Sequence, residues 1–318
     1  MSAGMFISWL QHHGRSADLS EALGIEAVFL PEDIAKKKNV FVKYLAAARY
    51  TRDVIRKGPR GAIFLMLPPA PALITVRLVN REKHRLIADL HTGYFSDPKW
   101  SWFAGFGMRL LRGSTVLVTS SYLADKCRNA GLESIVLHDV LVDRRGEESA
   151  GRASYILCPL SYANDEPVDM LLKAAELTPN IQYKFTGRPP EGVRRNAPTN
   201  VEFTGYVDDV EYLALLQNAL AVAAITNRDH TMQRAGYEAL MAGKPQITSN
   251  YPVLREFLGD AALYVDPSRE REFASAVNRI ELDPEGYIRS AAVVLETRMH
   301  EQAEVLKSIS RLTVTPTR

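Results

Sequence analysis

Two cysteines in 318 residues are too few for a disulfide framework. Cys127 and Cys158 lie far apart in apolar surroundings, without metal-site spacing, so buried free thiols of a reducing compartment are expected. No apolar run approaches the roughly 20 residues that cross a bilayer. The opening MSAGMFISWLQHHGR has neither a basic start nor a long apolar core, and no signal peptide is expected. A Walker loop, a Rossmann GxGxxG, HExxH, a CxxC pair and a nucleophilic triad are all missing, which leaves NTP hydrolases, dehydrogenases and proteases unsupported. Solenoid-length repeats and low-complexity tracts are missing too.

What is present suits an ordinary globular chain, 46% hydrophobic and 24% charged. Its length exceeds what one core usually serves, so two domains are expected. The net charge of +2 hides an asymmetry. Residues 1–150 hold 21 Lys and Arg against 15 Asp and Glu, whereas residues 151–318 hold 18 against 22. Much of the excess is local: Lys36, Lys37, Lys38, Lys43, Arg49, Arg52, Arg56, Lys57 and Arg60 meet one acid, Asp53. Such a half suits an anionic membrane or a phosphate-bearing acceptor.

Along the chain, MFISWL reads as a first strand, followed by the loop Gln11 to Ser16 and a helix ending at Gly24. His12, His13 and Arg15 in that loop suit a phosphate, or simply solvent. AVFLP is a second strand, and residues 43–56 have helical spacing with the basic residues on the outer face. GAIFLML is a buried strand closed by Pro68, Pro69 and Pro71. Residues 85–90 form another, ending at His91-Thr92-Gly93-Tyr94, with Asp89 taken to face away from His91. The segment 100–112, WSWFAGFGMRLLR, fits an interfacial helix on a bilayer or a piece of core. A further strand and a helix capped by Ser120 or Ser121 follow, and SIVLHDVLVD closes the domain. RRGEESAGRA, residues 144–153, has linker composition, so the domains are set at 1–145 and 146–318. Beyond it strands alternate regularly with helices of about ten residues, which predicts a parallel sheet covered on both faces. Asp208 or Asp209 reads as a helix cap. A final helix runs from Pro284 to about Ser310.

The stretch 225–266 organises the second domain. It reads as a strand end, a polar loop from Thr226 to His230, a helix starting near Thr231 and carrying Glu238, a Gly-Lys-Pro turn, a strand, a short helix and a strand. Ligands of open α/β sheets lie beyond the carboxyl ends of the strands, and a helix N-terminus there favours phosphate. Tyr237-Glu238-Ala239-Leu240, Ala242-Gly243-Lys244-Pro245, Pro252-Val253-Leu254-Arg255-Glu256 and Val265-Asp266-Pro267 together resemble the signature of retaining GT-B glycosyltransferases, above all glycosyltransferase family 4. The resemblance covers the C-terminal half well and the N-terminal half loosely.

That resemblance implies an α/β GT-B fold of two Rossmann-like α/β/α domains with an interdomain cleft, the first binding the acceptor and the second a nucleotide-sugar. A last helix packing back on the first domain is common in such proteins. Glu238 takes the position of the family's ribose-binding carboxylate, and His91 that of a His near donor sugar and acceptor. The family's first Glu, eight positions earlier, is His230 here, with Asp229 and His230 as the available substitutes. The usual Gly-rich first loop is absent, and so is the base of the first loop of the second domain. Arg188, Arg228 and Arg234 are the candidates for the diphosphate, together with the backbone of Thr231, Met232 and Gln233.

The expected activity is metal-independent transfer of a sugar from a UDP- or GDP-sugar, as substrate rather than cofactor, in glycan, polysaccharide or glycolipid synthesis. A sugar-nucleotide epimerase and a catalytically degenerate scaffold are the alternatives. The acceptor is a glycan or a lipid-linked molecule, and no nucleic acid is expected. The implied location is cytoplasmic, with peripheral contact at the inner face of the membrane through residues 36–60 and 100–112.

Overall fold

The computed structural model describes residues 4–58, 60–80, 84–146 and 155–313, so most of the linker read at 144–153 lies outside the described residues. The chain divides into two compact units. Met1–Val140 with Glu301–Arg318 forms the first, and Leu141–His300 the second.

The first unit is built on six parallel strands: β1 (Gly4–Ser8), β2 (Glu26–Phe29), β3 (Ala62–Leu67), β4 (Arg85–Leu90), β5 (Thr115–Val118) and β6 (Glu133–Val136). Their order is β2-β1-β3-β4-β5-β6. Side chains alternate between faces along a strand, and here both faces are covered. Met5, Ile7, Ile63, Leu65, Leu67, Leu86, Leu90 and Val118 enter one core. Phe6, Phe64, Met66, Ile87 and Leu117 enter the other. This two-sided burial is why the strands read as continuous apolar runs. The second core is completed by Ile309, with Val305, Leu306 and Leu312 packed against it. These belong to the helix Pro284–Thr313, whose residues from Glu301 onward group with the first unit.

The second unit also has six parallel strands: β7 (Tyr155–Cys158), β8 (Gln182–Thr186), β9 (Val201–Gly205), β10 (Ala221–Ala224), β11 (Gln246–Ser249) and β12 (Ala262–Val265). Their order, β12-β11-β10-β7-β8-β9, reverses direction between β7 and β10. The loops beyond those two strands therefore flank a topological switch point. Ile156, Cys158, Tyr183, Phe185, Ala223 and Ile247 pack on one face, and Tyr155, Leu157 and Val222 on the other.

Local signals explain the element ends. Gly24 adopts φ 62° after the helix Gly14–Leu23 and takes its left-handed cap. Ser120, rather than Ser121, caps the helix Ser121–Asn129, and Asp208 caps Asp209–Asn218 by accepting from Glu211 N–H at 2.9 Å. The basic helix extends further than the sequence suggests, Val40–Lys57, because the Asn39 side chain accepts from Phe41 and Val42 N–H. In the segment 100–112 the helix Pro98–Leu110 buries Phe103, Ala104 and Gly107, as a piece of core does, while Trp102 is 74% exposed and Phe106 54%. Both cysteines are buried free thiols, and burial pushes Cys127 up to about 11.

Candidate functional site

In the second unit the loop after β7 folds around an acidic residue. The Glu166 carboxylate accepts from Ser161 N–H, Ser161 Oγ and Ala163 N–H, at 3.0–3.2 Å. An acid thus holds the backbone amides of this loop, which has no base. Its neighbour Asp165 ties the loop across the switch point. Asn227 N–H donates to Asp165 O at 2.7 Å and Thr226 Oγ1 donates to Asp165 Oδ2 at 3.1 Å. Thr226 is held in turn by Ser249, whose Oγ accepts from its N–H and donates to its carbonyl. The adjoining loop after β8 approaches the β7 loop so closely that a Cβ on Gly187 would lie 2.1 Å from Leu160 O; Gly187 also takes φ 81°. Only glycine satisfies both constraints.

The helix after β10 is Arg234–Met241, three residues later than the expected start at Thr231. His230 turns the chain into the left-handed region with φ 59°, and the extended Gln233 becomes the N-cap, without a side-chain cap bond. Thr231 Oγ1 instead donates to Asp229 O. Met232 packs against the second unit's interior, its Cε 3.2 Å from where a Cβ on Gly236 would stand. Thr231, Met232 and Gln233 therefore form an approach to the helix rather than its first turn, which moves the helix N-terminus to Arg234 and Ala235.

Glu238 lies one turn into that helix. Its Oε1 accepts from Arg234 Nε at 3.1 Å and its Oε2 from Tyr212 OH at 2.8 Å, so the carboxylate is fixed before any ligand arrives. Burial first, and Glu238 second, raise the Tyr212 phenol far above its ordinary value, which keeps it a donor. Arg234 is engaged by Glu238 in an ion pair. Arg228 stands 3.9 Å from Asp165 and is half exposed. Arg188 is exposed and lies over the Tyr206 ring, 5.9 Å from its centroid, with no carboxylate partner among the described residues. Asp229 Oδ1 accepts from His230 N–H and lies 3.6 Å from His230 Nδ1. Structure thus groups Thr226, Arg228, Asp229, His230, Arg234 and Glu238 in and after the β10 loop, with Arg188 on the loop after β8.

In the first unit His91 follows β4 and precedes the short helix Thr92–Ser96. Contrary to the expected opposite faces, Asp89 Oδ2 is 2.9 Å from His91 Nε2. Residues two apart along a strand share a face, and that spacing is the sequence signal for the pair. Arg15, 4% exposed, donates to both Asp89 oxygens at 2.8–3.2 Å, to Leu137 O at 2.9 Å and to Asp139 Oδ1 at 3.3 Å. It is therefore not the solvent-facing phosphate ligand suggested by its loop. Burial would raise the Asp89 pKa, but Arg15 and His91 outweigh it and hold the carboxyl far below its usual range. His13 caps the helix Gly14–Leu23. Burial and the neighbouring His91 lower its pKa to about 4, against the smaller opposing pull of Asp89 and Asp139. The His13 and His91 rings meet edge to face, with centroids 5.0 Å apart. Among the described residues no three His, Cys, Asp or Glu gather as a metal set, and no helix is long and apolar enough to cross a membrane.

Residues 154–283 match the family model described as glycosyl transferases group 1. No curated protein matches the chain. Among solved structures, Anabaena HepE in complex with UDP and glucose is 13% identical with a TM-score of 0.73, covering 98% of this chain and 99% of that one. Sucrose-phosphate synthase from Thermosynechococcus elongatus is 15% identical with a TM-score of 0.72 and 97% coverage of both chains. A Staphylococcus aureus TarM variant in complex with fondaparinux, alpha-GlcNAc-glycerol and UDP is 9% identical with a TM-score of 0.66, over 85% of this chain and 59% of that one. At such identities the likeness establishes the fold, two doubly wound parallel units of the GT-B kind.

Proposed function

We propose that this GT-B glycosyltransferase, whose second unit carries a group 1 glycosyl transferase domain, moves a sugar from a nucleoside diphosphate sugar to a hydroxyl acceptor handled by its first unit. The observation that carries the reading is Glu238, held by Tyr212 and Arg234 in the domain the family model matches. A carboxylate so fixed suits the two ribose hydroxyls of a nucleotide, and UDP or GDP is the proposed carrier. The UDP complexes of HepE and TarM support the first. Arg188, which meets no carboxylate among the described residues, and Arg228, weakly paired, would neutralise the leaving diphosphate, helped by the helix N-terminus at Arg234. Those groups supply the charge stabilisation that a metal would otherwise give, so turnover is proposed to survive chelator.

By the resemblance His230 takes the position of the family's first Glu, with Asp229 beside it as the other available substitute. We assign them to the transferred sugar and keep retention of configuration as the proposed outcome. The acceptor is proposed to be a glycan or lipid-linked glycan. Peripheral membrane contact fits the first unit: Phe41 is 87% exposed, with Val40, Val42 and Leu45 also exposed beside Lys36, Lys37, Lys38 and Lys43. Apolar side chains within a basic rim suit an anionic bilayer at a cytoplasmic face. Flotation with anionic liposomes at low and high salt checks this; absence of binding at low salt would sink it.

The donor reading is tested by thermal shift with UDP, GDP, ADP and TDP, with and without a divalent cation. A ligand at about 100 times its Kd adds roughly 2.7 kcal/mol. Stabilisation by one nucleotide, independent of metal and lost in Glu238→Ala, is the expected result. No response to any of the four would overturn the reading.

A further inference from the structure

We propose that Asp89 fixes the tautomer of His91, so that His91 Nδ1 acts as a hydrogen-bond acceptor for a substrate hydroxyl on the first unit, with Arg15 as the buried cation that holds Asp89. The inference rests on the reading of this unit as the acceptor side.

The hydrogen bonds dictate where the protons sit. Arg15 has donors only, and its Nε and Nη2 reach both Asp89 oxygens. An ionised carboxylate accepts and cannot donate. The His91 Nε2 at 2.9 Å from Asp89 Oδ2 therefore carries the hydrogen. A neutral imidazole has one N–H and one lone pair, which leaves the lone pair on Nδ1. Among the described residues that atom has no partner, and the His91 side chain is 24% exposed.

The neighbouring His13 has the complementary arrangement. Its Nδ1 accepts from Ser16 N–H at 3.3 Å and lies 3.0 Å from Ser16 Oγ. Its own hydrogen is then on Nε2. Two rings with centroids 5.0 Å apart thus offer one acceptor and one donor. A hydroxyl, which both donates and accepts, satisfies that pair. The oxygens of a phosphodiester only accept, and would meet the His91 lone pair unfavourably. The Arg15 charge does not alter this preference, being engaged by Asp89 and Asp139. The chemical class read here is therefore an alcohol, such as a sugar hydroxyl. Asp89 and Arg15 are positioning residues, acting on the ligand through His91.

Asp89→Asn gives a specific outcome. The Arg15 fork requires the amide oxygen, so the amide NH2 turns to His91. Nε2 must then accept, and the hydrogen moves to Nδ1, the wrong-tautomer effect of such a substitution in an Asp–His pair. Proton–nitrogen NMR of the histidine-labelled full chain reads this directly, with signals assigned through His91→Gln and His13→Gln. The wild type is expected to show His91 as the Nε2–H tautomer and Asp89→Asn as the Nδ1–H tautomer. An Nδ1–H tautomer in the wild type overturns the proposal whether or not the variant folds, and so does an unchanged tautomer in a folded variant. Titration with glycerol and with dimethyl phosphate, which carries no O–H, tests the ligand class on the wild type. The His91 signal is expected to move with glycerol and not with dimethyl phosphate; the reverse, or silence toward both, refutes hydroxyl recognition. Thermal shift with UDP, run in parallel, reads the second unit, so its loss would fault the donor assignment without touching this one.

Discussion

Beyond its strand ends the first unit engages charge below the surface, where Arg15 is closed off by Asp89, Asp139 and Leu137 O. The second keeps its bases at the rim, with Arg188 on an exposed aromatic ring and Arg228 at the long end of ion-pair distance. Both have six-stranded parallel sheets, and both place polar side chains beyond the strand ends. The difference lies in what those side chains are ready for. Exposed cations suit a multiply charged ligand that arrives with its own counter-ions. A buried ion pair instead orients one imidazole, and suits a hydroxyl ligand.

The contrast can be broken in order of expected size. Ile309→Ala removes a fully buried side chain from the first unit and should cost about 3–4 kcal/mol. Chemical denaturation should show the loss; a change below about 1 kcal/mol would mean that this helix end is not part of that unit's core. The pH dependence of His13 comes next. Its folded value of about 4 lies below the ordinary 6.5, so the folded chain binds fewer protons than the unfolded chain between them, and stability rises with pH across that window. The contribution is complete above about 6.5, and about 3 kcal/mol is lost as pH falls through 4. His13→Gln should flatten the profile between those values, and an unchanged slope would refute the assignment.

On the second unit, Gly187→Ala should cost at least about 2 kcal/mol. The left-handed backbone accounts for roughly half, and the collision with Leu160 O for the rest. Nucleotide stabilisation should weaken with it, because the loops after β7 and β8 separate. Asp208→Ala, which removes a helix cap, should lower stability by about 1 kcal/mol and leave nucleotide binding intact. Loss of binding in that variant would extend the site to the loop after β9.

The sheets are legible in the sequence because each strand is covered on both faces, and runs such as GAIFLML need no tertiary information to be read. Caps at Gly24, Ser120 and Asp208 are legible for the same local reason. The helix start at Arg234 is not. Thr231 is a good cap in isolation, but His230 in the left-handed region and Met232 in the interior extend the chain past it. Nor does the loop containing Arg15 reveal a buried ion pair, since its acids lie 74 and 124 positions away. The candidate nucleotide side is compact in sequence, with most of its side chains inside residues 225–266, and a local pattern suffices to find it.

The helix Pro284–Thr313 places Ile309 in the core of the unit that also contains the first strand. On a ribosome, Phe6 and Phe64 therefore wait for a residue made some 250 to 300 positions later before that core can close. The second unit, Leu141–His300, is contiguous and can mature while its predecessor is still incomplete. Order of synthesis and order of completion run opposite ways in this chain, and a polypeptide cut short after residue 300 would leave its earliest strands with a seam that no later segment fills.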